Sequence, residues 1–271
     1  MENPCLWPLS RKSRSLPEHP RGIGAVYADR LAARGYDLIL VARRADRLEA
    51  LSKKILKTYA GANVEVIAAD LAKESDLVRV EKVLATNPAV RILVNNAGLA
   101  RLAPIAQAPV QQSLAQIALN ITSVTRLTHA VLPALLSRND GVIVNIASVL
   151  AIHSLPISSV YSGTKAFVLN FSLGLQDELV GTGVKVQVVL PASTATEIWD
   201  ASGLPLSALD QDTVMSAENL VDAALAGLDK GEAITWPTVA DASLWDKYDA
   251  ARSTLFAASQ TNKPAARYSA I

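Results

Sequence analysis

Among 271 residues there is one cysteine, Cys5, so no disulfide can form within the chain. A reducing, cytoplasmic setting is the expectation that follows. Neither sign of charge dominates: 26 Lys and Arg stand against 25 Asp and Glu, a net of +1. With no long block of one sign, nucleic acid and anionic membrane surfaces are not expected partners. No apolar run reaches the ~20 residues that a spanning helix needs. The N-terminus also lacks the apolar stretch of a secretory signal. "SRKSRS" has the Arg/Ser content of a transit peptide, but Pro4, Pro8, Pro17 and Pro20 oppose the amphipathic helix that such a peptide forms. Internal repeats, low-complexity tracts and linkers are missing too, which argues for a single domain.

What is present is ample core material, since half of the residues are hydrophobic. Short β-branched runs at "YDLILVA" (36–42), "VEVIAA" (64–69), "RILVN" (91–95), "GVIVNIA" (141–147) and "VKVQVVL" (184–190) read as strands, with a weaker one at "EAITW" (232–236). Segments of helical length lie between them, at 44–60, 73–86, 105–136 and 159–181, and a peripheral helix is expected near 240–258. Continuous apolar strands alternating with helices predict an α/β fold with a parallel sheet buried on both faces.

Several short motifs sit where chemistry belongs in such a fold. "RGIG" (21–24) opens a helix, where glycines let the backbone approach a pyrophosphate and the helix N-terminus offers N–H donors. Two incidental glycines at a helix start would read the same way. "NNAG" (95–98) follows a strand at the end where α/β sheets bind ligands, though an Asn/Gly turn is the plainer reading. In "YSGTK", Tyr161 and Lys165 are four apart and share a helix face. A free tyrosine has a pKa near ~10. A neighbouring ammonium lowers it and suits the pair to general acid/base work. Ser148 ends the strand thirteen residues before Tyr161, where a hydroxyl can bond a substrate oxygen, although turn chemistry alone would also put a Ser at a strand end. Asn120 lies in the long helical segment, where an Asn is locally unfavourable. His129 and His153 make no metal-ligand pattern, and no metal is expected.

In this order and spacing the motifs resemble the short-chain dehydrogenase/reductase family, over residues 21 to about 236. The resemblance implies a Rossmann-type doubly wound parallel sheet with strand order 3-2-1-4-5-6-7. It makes Tyr161 the proton donor or acceptor and gives Lys165 the ribose of the nicotinamide. Ser148 orients the substrate oxygen, and Asn120 positions a relay water. Gly22, Ile23 and Gly24, with Asn95, Ala97 and Gly98, line the cofactor site, and Asp70 contacts the adenine. Pro191, Thr194 and Thr196 belong to the loop "PASTAT", where Ala192 replaces the usual glycine and Thr196 faces the carboxamide. The second strand ends in "VARR" rather than in an acidic residue. Arg43 there suits a 2′-phosphate through paired charge-assisted hydrogen bonds. Arg21 matches a basic position of NADP-preferring relatives, whereas Arg44 reads as a solvated residue. NADP(H) is therefore expected over NAD(H), with a small-molecule carbonyl or alcohol as substrate. Homodimers or homotetramers are expected through the helices at 105–136 and 159–181.

The start of the motif departs from the family. The glycine loop expects Thr-Gly-x-x-x-Gly-x-Gly after an apolar strand, but Pro17 and Glu18 stand at its first two positions and "RKSRSL" stands where the strand belongs. Two Arg and a Lys are costly in a central strand. With permitted synonymous codons, positions 11–20 read in another frame yield Lys-Val-Ala-Leu-Val-Thr-Gly-Ala-Ser, which runs directly into "RGIG". The expectation is an aberrant, frameshifted segment at 1–20 ahead of a dehydrogenase domain at 21–271. Two other readings stay open: a non-catalytic nucleotide-binding or scaffold relative, and an enzyme whose printed product folds poorly.

Overall fold

The computed structural model describes residues 22–268. Segment 1–20, Cys5, the first strand expected at 11–16 and Arg21 lie outside the described residues. The order of elements begins α1 (Ile23–Ala33), β1 (Leu38–Ala42), α2 (Ala45–Thr58), β2 (Val64–Ala68), α3 (Glu74–Thr86) and β3 (Ile92–Asn95). It continues with α4 (Val110–Ile117), α5 (Ser123–Arg138), β4 (Gly141–Ile146), α6 (Ser159–Glu178), β5 (Val184–Val189), α7 (Ala217–Asp229), β6 (Ile234–Thr235) and α8 (Ser243–Ser259). All six strands expected in this range are present, shortened by up to three residues.

Every strand pair is parallel. β1 pairs with β2, and β3, β4, β5 and β6 pair in that order. Among the described residues β1 and β3 share no ladder, yet Leu38 and Leu40 of β1 meet Ile92 and Val94 of β3 in one apolar cluster. The expected order sets its first strand between these two.

Successive strand residues point to opposite faces, so both faces must be covered. Ile143 of β4 packs with Leu127, Val131 and Leu135 of α5 and with Leu175 of α6. Its neighbour Val144 packs on the other side with Val26 of α1 and with Leu220 and Ala224 of α7. Ile143 and Val144 are 0 % and 1 % exposed, which identifies β4 as a central strand of a three-layer α/β/α core. This is the Rossmann-type arrangement. Truncating such a residue to alanine costs about 2–5 kcal/mol.

The single long helix expected at 105–136 is instead two. A π-helical turn, Ala118–Thr122, separates α4 from α5 and carries Asn120 at its centre. Among the described residues no helix is long and apolar enough to cross a membrane. The loops after β1, β3, β4 and β5 open at one edge of the sheet, where a doubly wound fold places its ligand crevice.

Candidate active site

Among the site residues expected within 22–268, all but Asn120 border one cleft at the carboxyl ends of the strands. Gly22 caps α1 with φ 91° and ψ 156°. That region is almost exclusive to glycine, because a Cβ there strains the backbone. Gly24 is needed for a different reason: a Cβ on it would lie 2.6 Å from Asn96 Nδ2. Gly22 is thus required by its backbone, and Gly24 by a close approach that only the Asn96 side chain could relieve. The first turn of α1 has no acidic residue, and among the described residues no side chain caps its N–H groups. A helix start of this kind favours an anion. Ile23 follows Gly22 as the first helical residue and borders the same space.

Behind the cleft, the π turn around Asn120 aims its amide at the β3 loop. Asn120 Oδ1 accepts from Leu99 N at 2.8 Å, and Nδ2 donates to Leu99 O at 2.9 Å and to Thr164 Oγ1 at 3.0 Å. Asn120 is only 1 % exposed, so these bonds answer the cost of burying an amide. A Cβ built on Gly98 would touch Asn120 Oδ1 and Lys165 Nζ, each at 3.6 Å.

Lys165 is buried, and its Nζ donates to Ile146 O at 2.8 Å. Burial lowers its pKa to about 8. The same Nζ lies 5.8 Å from the centre of the Tyr161 ring. The phenol was expected below its usual value because of this ammonium. Instead it is pushed up to about 12: loss of water outweighs the other influences, and a hydrogen bond with the Ser148 side chain pulls only partly the other way. Ser148 Oγ also accepts from Leu150 N at 3.1 Å and caps the short turn Val149–Ala151. Ser148, Tyr161 and Lys165 thus form one hydroxyl–phenol–ammonium row, the phenol protonated at neutral pH.

The loop after β5 carries Pro191, Thr194 and Thr196. Pro191 O accepts from Val149 N at 2.9 Å, which ties this loop to the Ser148 turn. Thr194 is buried, and its carbonyl accepts the indole N–H of Trp199 at 2.7 Å. Thr196 begins the short helix Glu197–Ala201. Around it Leu150, Leu155, Ile157, Ile198, Trp199 and Leu204 make this end of the cleft apolar. His153 and His129 are both exposed, and neither borders this space.

Two side chains, those of Asn95 and Arg44, hold partners that the sequence did not reveal. Asn95 borders the cleft, while its side-chain amide is engaged beneath it. It donates to Asn145 Oδ1 at 2.8 Å, and Asn145 donates to Ser172 Oγ at 2.9 Å, a buried polar row tying β3 and β4 to α6. Its neighbour Asn96, not singled out beforehand, is the residue that meets Gly24. Arg44 is not merely solvated: its Nη2 donates to Glu197 Oε2 at 2.7 Å, and Arg47 Nη1 reaches both oxygens of the same carboxylate. Asp70 forms an Asx turn, with Oδ1 accepting from Ala72 N at 3.1 Å, and borders the cleft. Arg43 is exposed and makes no ion pair among the described residues.

Residues 19–204 match the family model described as short chain dehydrogenase. A short-chain dehydrogenase from Sphingobium yanoikuyae, solved in complex with NADPH, is 42 % identical at a TM-score of 0.88, over 92 % of this chain and 96 % of that one. The bulky-bulky ketone specific alcohol dehydrogenase from Comamonas testosteroni is 37 % identical at a TM-score of 0.84, over 92 % and 95 % of the two chains. Very-long-chain 3-oxoacyl-CoA reductase-A of Danio rerio is 38 % identical over 181 residues, or 65 % of this chain. The match spans 56 % of the length of that curated relative.

Proposed function

Because this chain belongs to the short-chain dehydrogenase family, we propose that it interconverts a carbonyl and an alcohol, using NADP(H) in preference to NAD(H). The observation that carries the reading is the Ser148–Tyr161–Lys165 row, buried against the apolar end of a cleft whose other end is a glycine-capped helix N-terminus.

The residues at that other end fit a dinucleotide. Gly22 and Gly24 leave room for a pyrophosphate against the uncapped start of α1. Arg43, at the end of β1, is the residue we assign to a 2′-phosphate. Asp70 is assigned to the adenine, and Thr194 and Thr196, with Ala97 and Gly98, to the nicotinamide half. Arg21 belongs to the same group by sequence.

When bound, the nicotinamide supplies or receives the hydride. The chain handles the proton. In reduction, Tyr161 Oη gives its proton to the substrate oxygen, which Ser148 Oγ holds in line. Lys165 stabilises the phenolate left behind and is itself fixed by the Ile146 carbonyl. Asn120 holds the Gly98–Leu99 turn beside the ammonium, at the place where a relay water is expected.

Val149, Leu150, Ile157 and Trp199 favour a medium-sized apolar substrate over a charged one. The Comamonas relative, which acts on bulky-bulky ketones by its description, supports that choice. A homo-oligomer is part of the proposal: Val110, Leu114 and Ile117 form an exposed apolar stripe on α4, within the segment expected to associate.

The test is NADPH oxidation against a set of aliphatic and aromatic ketones, with NADPH and NADH binding measured by fluorescence titration. Turnover with NADPH bound more tightly than NADH is the expected result. Binding without turnover on any ketone would make this chain a non-catalytic nucleotide-binding relative.

A further inference from the structure

Glu197 comes from the loop after β5, 150 residues away in sequence from Arg47 of α2, yet its carboxylate is held by both Arg44 and Arg47. The Arg47 Nη1 to Oε2 contact is 2.5 Å and the Arg44 contact 2.7 Å. The arginines hold the Glu197 carboxyl below its usual pKa, Arg47 more strongly than Arg44, so it is charged throughout the neutral range. The link crosses the mouth of the cleft, from the turn that follows Thr196 on one side to the end of β1 on the other. Arg44 is adjacent to Arg43, the residue assigned to the 2′-phosphate.

We propose that Glu197 is an internal competitor for the two arginines beside Arg43, so that a 2′-phosphate held at Arg43 also draws Arg44 and Arg47, displaces the Glu197 carboxylate from them and releases the Glu197–Ala201 turn. The inference rests on the assignment of NADP(H) and deepens it. It makes Glu197 a specificity-determining residue and couples the adenine end of the cleft to the loop that walls the substrate end.

The exposure of the three side chains makes the exchange feasible. Arg44, Arg47 and Glu197 are 58 %, 47 % and 30 % exposed. Ion pairs this open to water are weak. A phosphate near its dianionic form carries more charge than one carboxylate and accepts the guanidinium fork at least as well. A ribose with free hydroxyls brings no such charge and leaves the link intact. NADH and NADPH therefore meet different loop positions.

The test uses half-cofactors on the full chain, so that binding is read without catalysis. The probes are 2′,5′-ADP and 5′-AMP, titrated by calorimetry into wild type, Glu197→Gln and Arg47→Met. The expected result is that Glu197→Gln tightens 2′,5′-ADP by about fivefold, the order of a weak exposed ion-pair network, and leaves 5′-AMP unchanged. Arg47→Met should weaken 2′,5′-ADP selectively. Hydrogen exchange supplies a second readout: 2′,5′-ADP should speed exchange across residues 196–204 in wild type and change nothing there in Glu197→Gln.

Equal tightening of both probes, no change, or weaker binding in Glu197→Gln each overturns the competition. If wild type binds 2′,5′-ADP and 5′-AMP equally, the preference for NADP(H) falls too. If wild type does not bind 2′,5′-ADP, both readings fall together.

Discussion

The Lys165 ammonium lies 5.8 Å from the centre of the Tyr161 ring, one helical turn along α6, while its own proton goes to the Ile146 carbonyl at 2.8 Å. A charge buried against a strand end in this way carries a desolvation cost that a structural lysine would avoid. The cost and the position together define what the site asks of the fold.

That cost is measurable. Burial brings Lys165 to about 8, against ~10.4 for an unfolded lysine. Below pH 8 both folded and unfolded chains hold the proton, and the folded state bears the full penalty. Between pH 8 and ~10.4 the unfolded chain keeps the proton and the folded chain does not, so stability rises with pH. The whole span corresponds to about 3 kcal/mol as an upper bound. Urea unfolding of wild type and Lys165→Met at pH 7 and pH 9.5 should show wild type gaining on the variant at the higher pH. A constant difference between them would remove the strained ammonium from the account.

Asn120 should matter to stability before it matters to chemistry. Replacing it with alanine leaves the Leu99 N–H and C=O and the Thr164 hydroxyl without their buried partner. The expected loss is about 2–4 kcal/mol, visible as a lower urea midpoint with an unchanged slope. A variant as stable as wild type would mean that water replaces the amide.

The two glycines of the α1 loop should fail differently. Gly22→Ala forces a Cβ into φ 91°, at a cost of about 1–3 kcal/mol in stability. Gly24→Ala meets only the tip of the Asn96 side chain, which can turn away into the cleft. That variant should keep most of its stability and lose NADPH affinity by about tenfold or more, since backbone approach is what the loop provides. Parallel melting and NADPH titration of both variants separates these outcomes; equal behaviour in both assays would contradict the distinction.

Arg43→Ser should weaken NADPH by about tenfold or more, the worth of a charge-assisted phosphate contact, and leave NADH within about twofold. Equal losses for the two cofactors would show that Arg43 supports the loop rather than reading the phosphate.

The strands were legible because runs such as "GVIVNIA" are too apolar and β-branched to lie anywhere except inside a covered sheet. The Tyr161 and Lys165 pairing was legible from the helical period alone. The break in the helix at 105–136 was not, although its cause was in view: Asn120 is a poor helix residue, and the π turn gives its amide a place to bond. The partner of the Asn95 side chain was not legible, because strand-end position does not say which face a side chain takes; Asn145 and Ser172 decide that from distant parts of the chain. Glu197 and Arg47 carry no motif, and 150 residues separate them. Likewise, the sign of the Tyr161 shift depends on how much water the folded cleft excludes, which spacing cannot reveal.

The central claim is that Tyr161 moves the proton. Its most direct test is steady-state ketone reduction by wild type and Tyr161→Phe, with NADPH binding titrated on the same preparations. The account predicts NADPH affinity within about twofold and a kcat at least about 100-fold lower in the variant, the range expected for a lost general acid. Equal rates in the two proteins would contradict it.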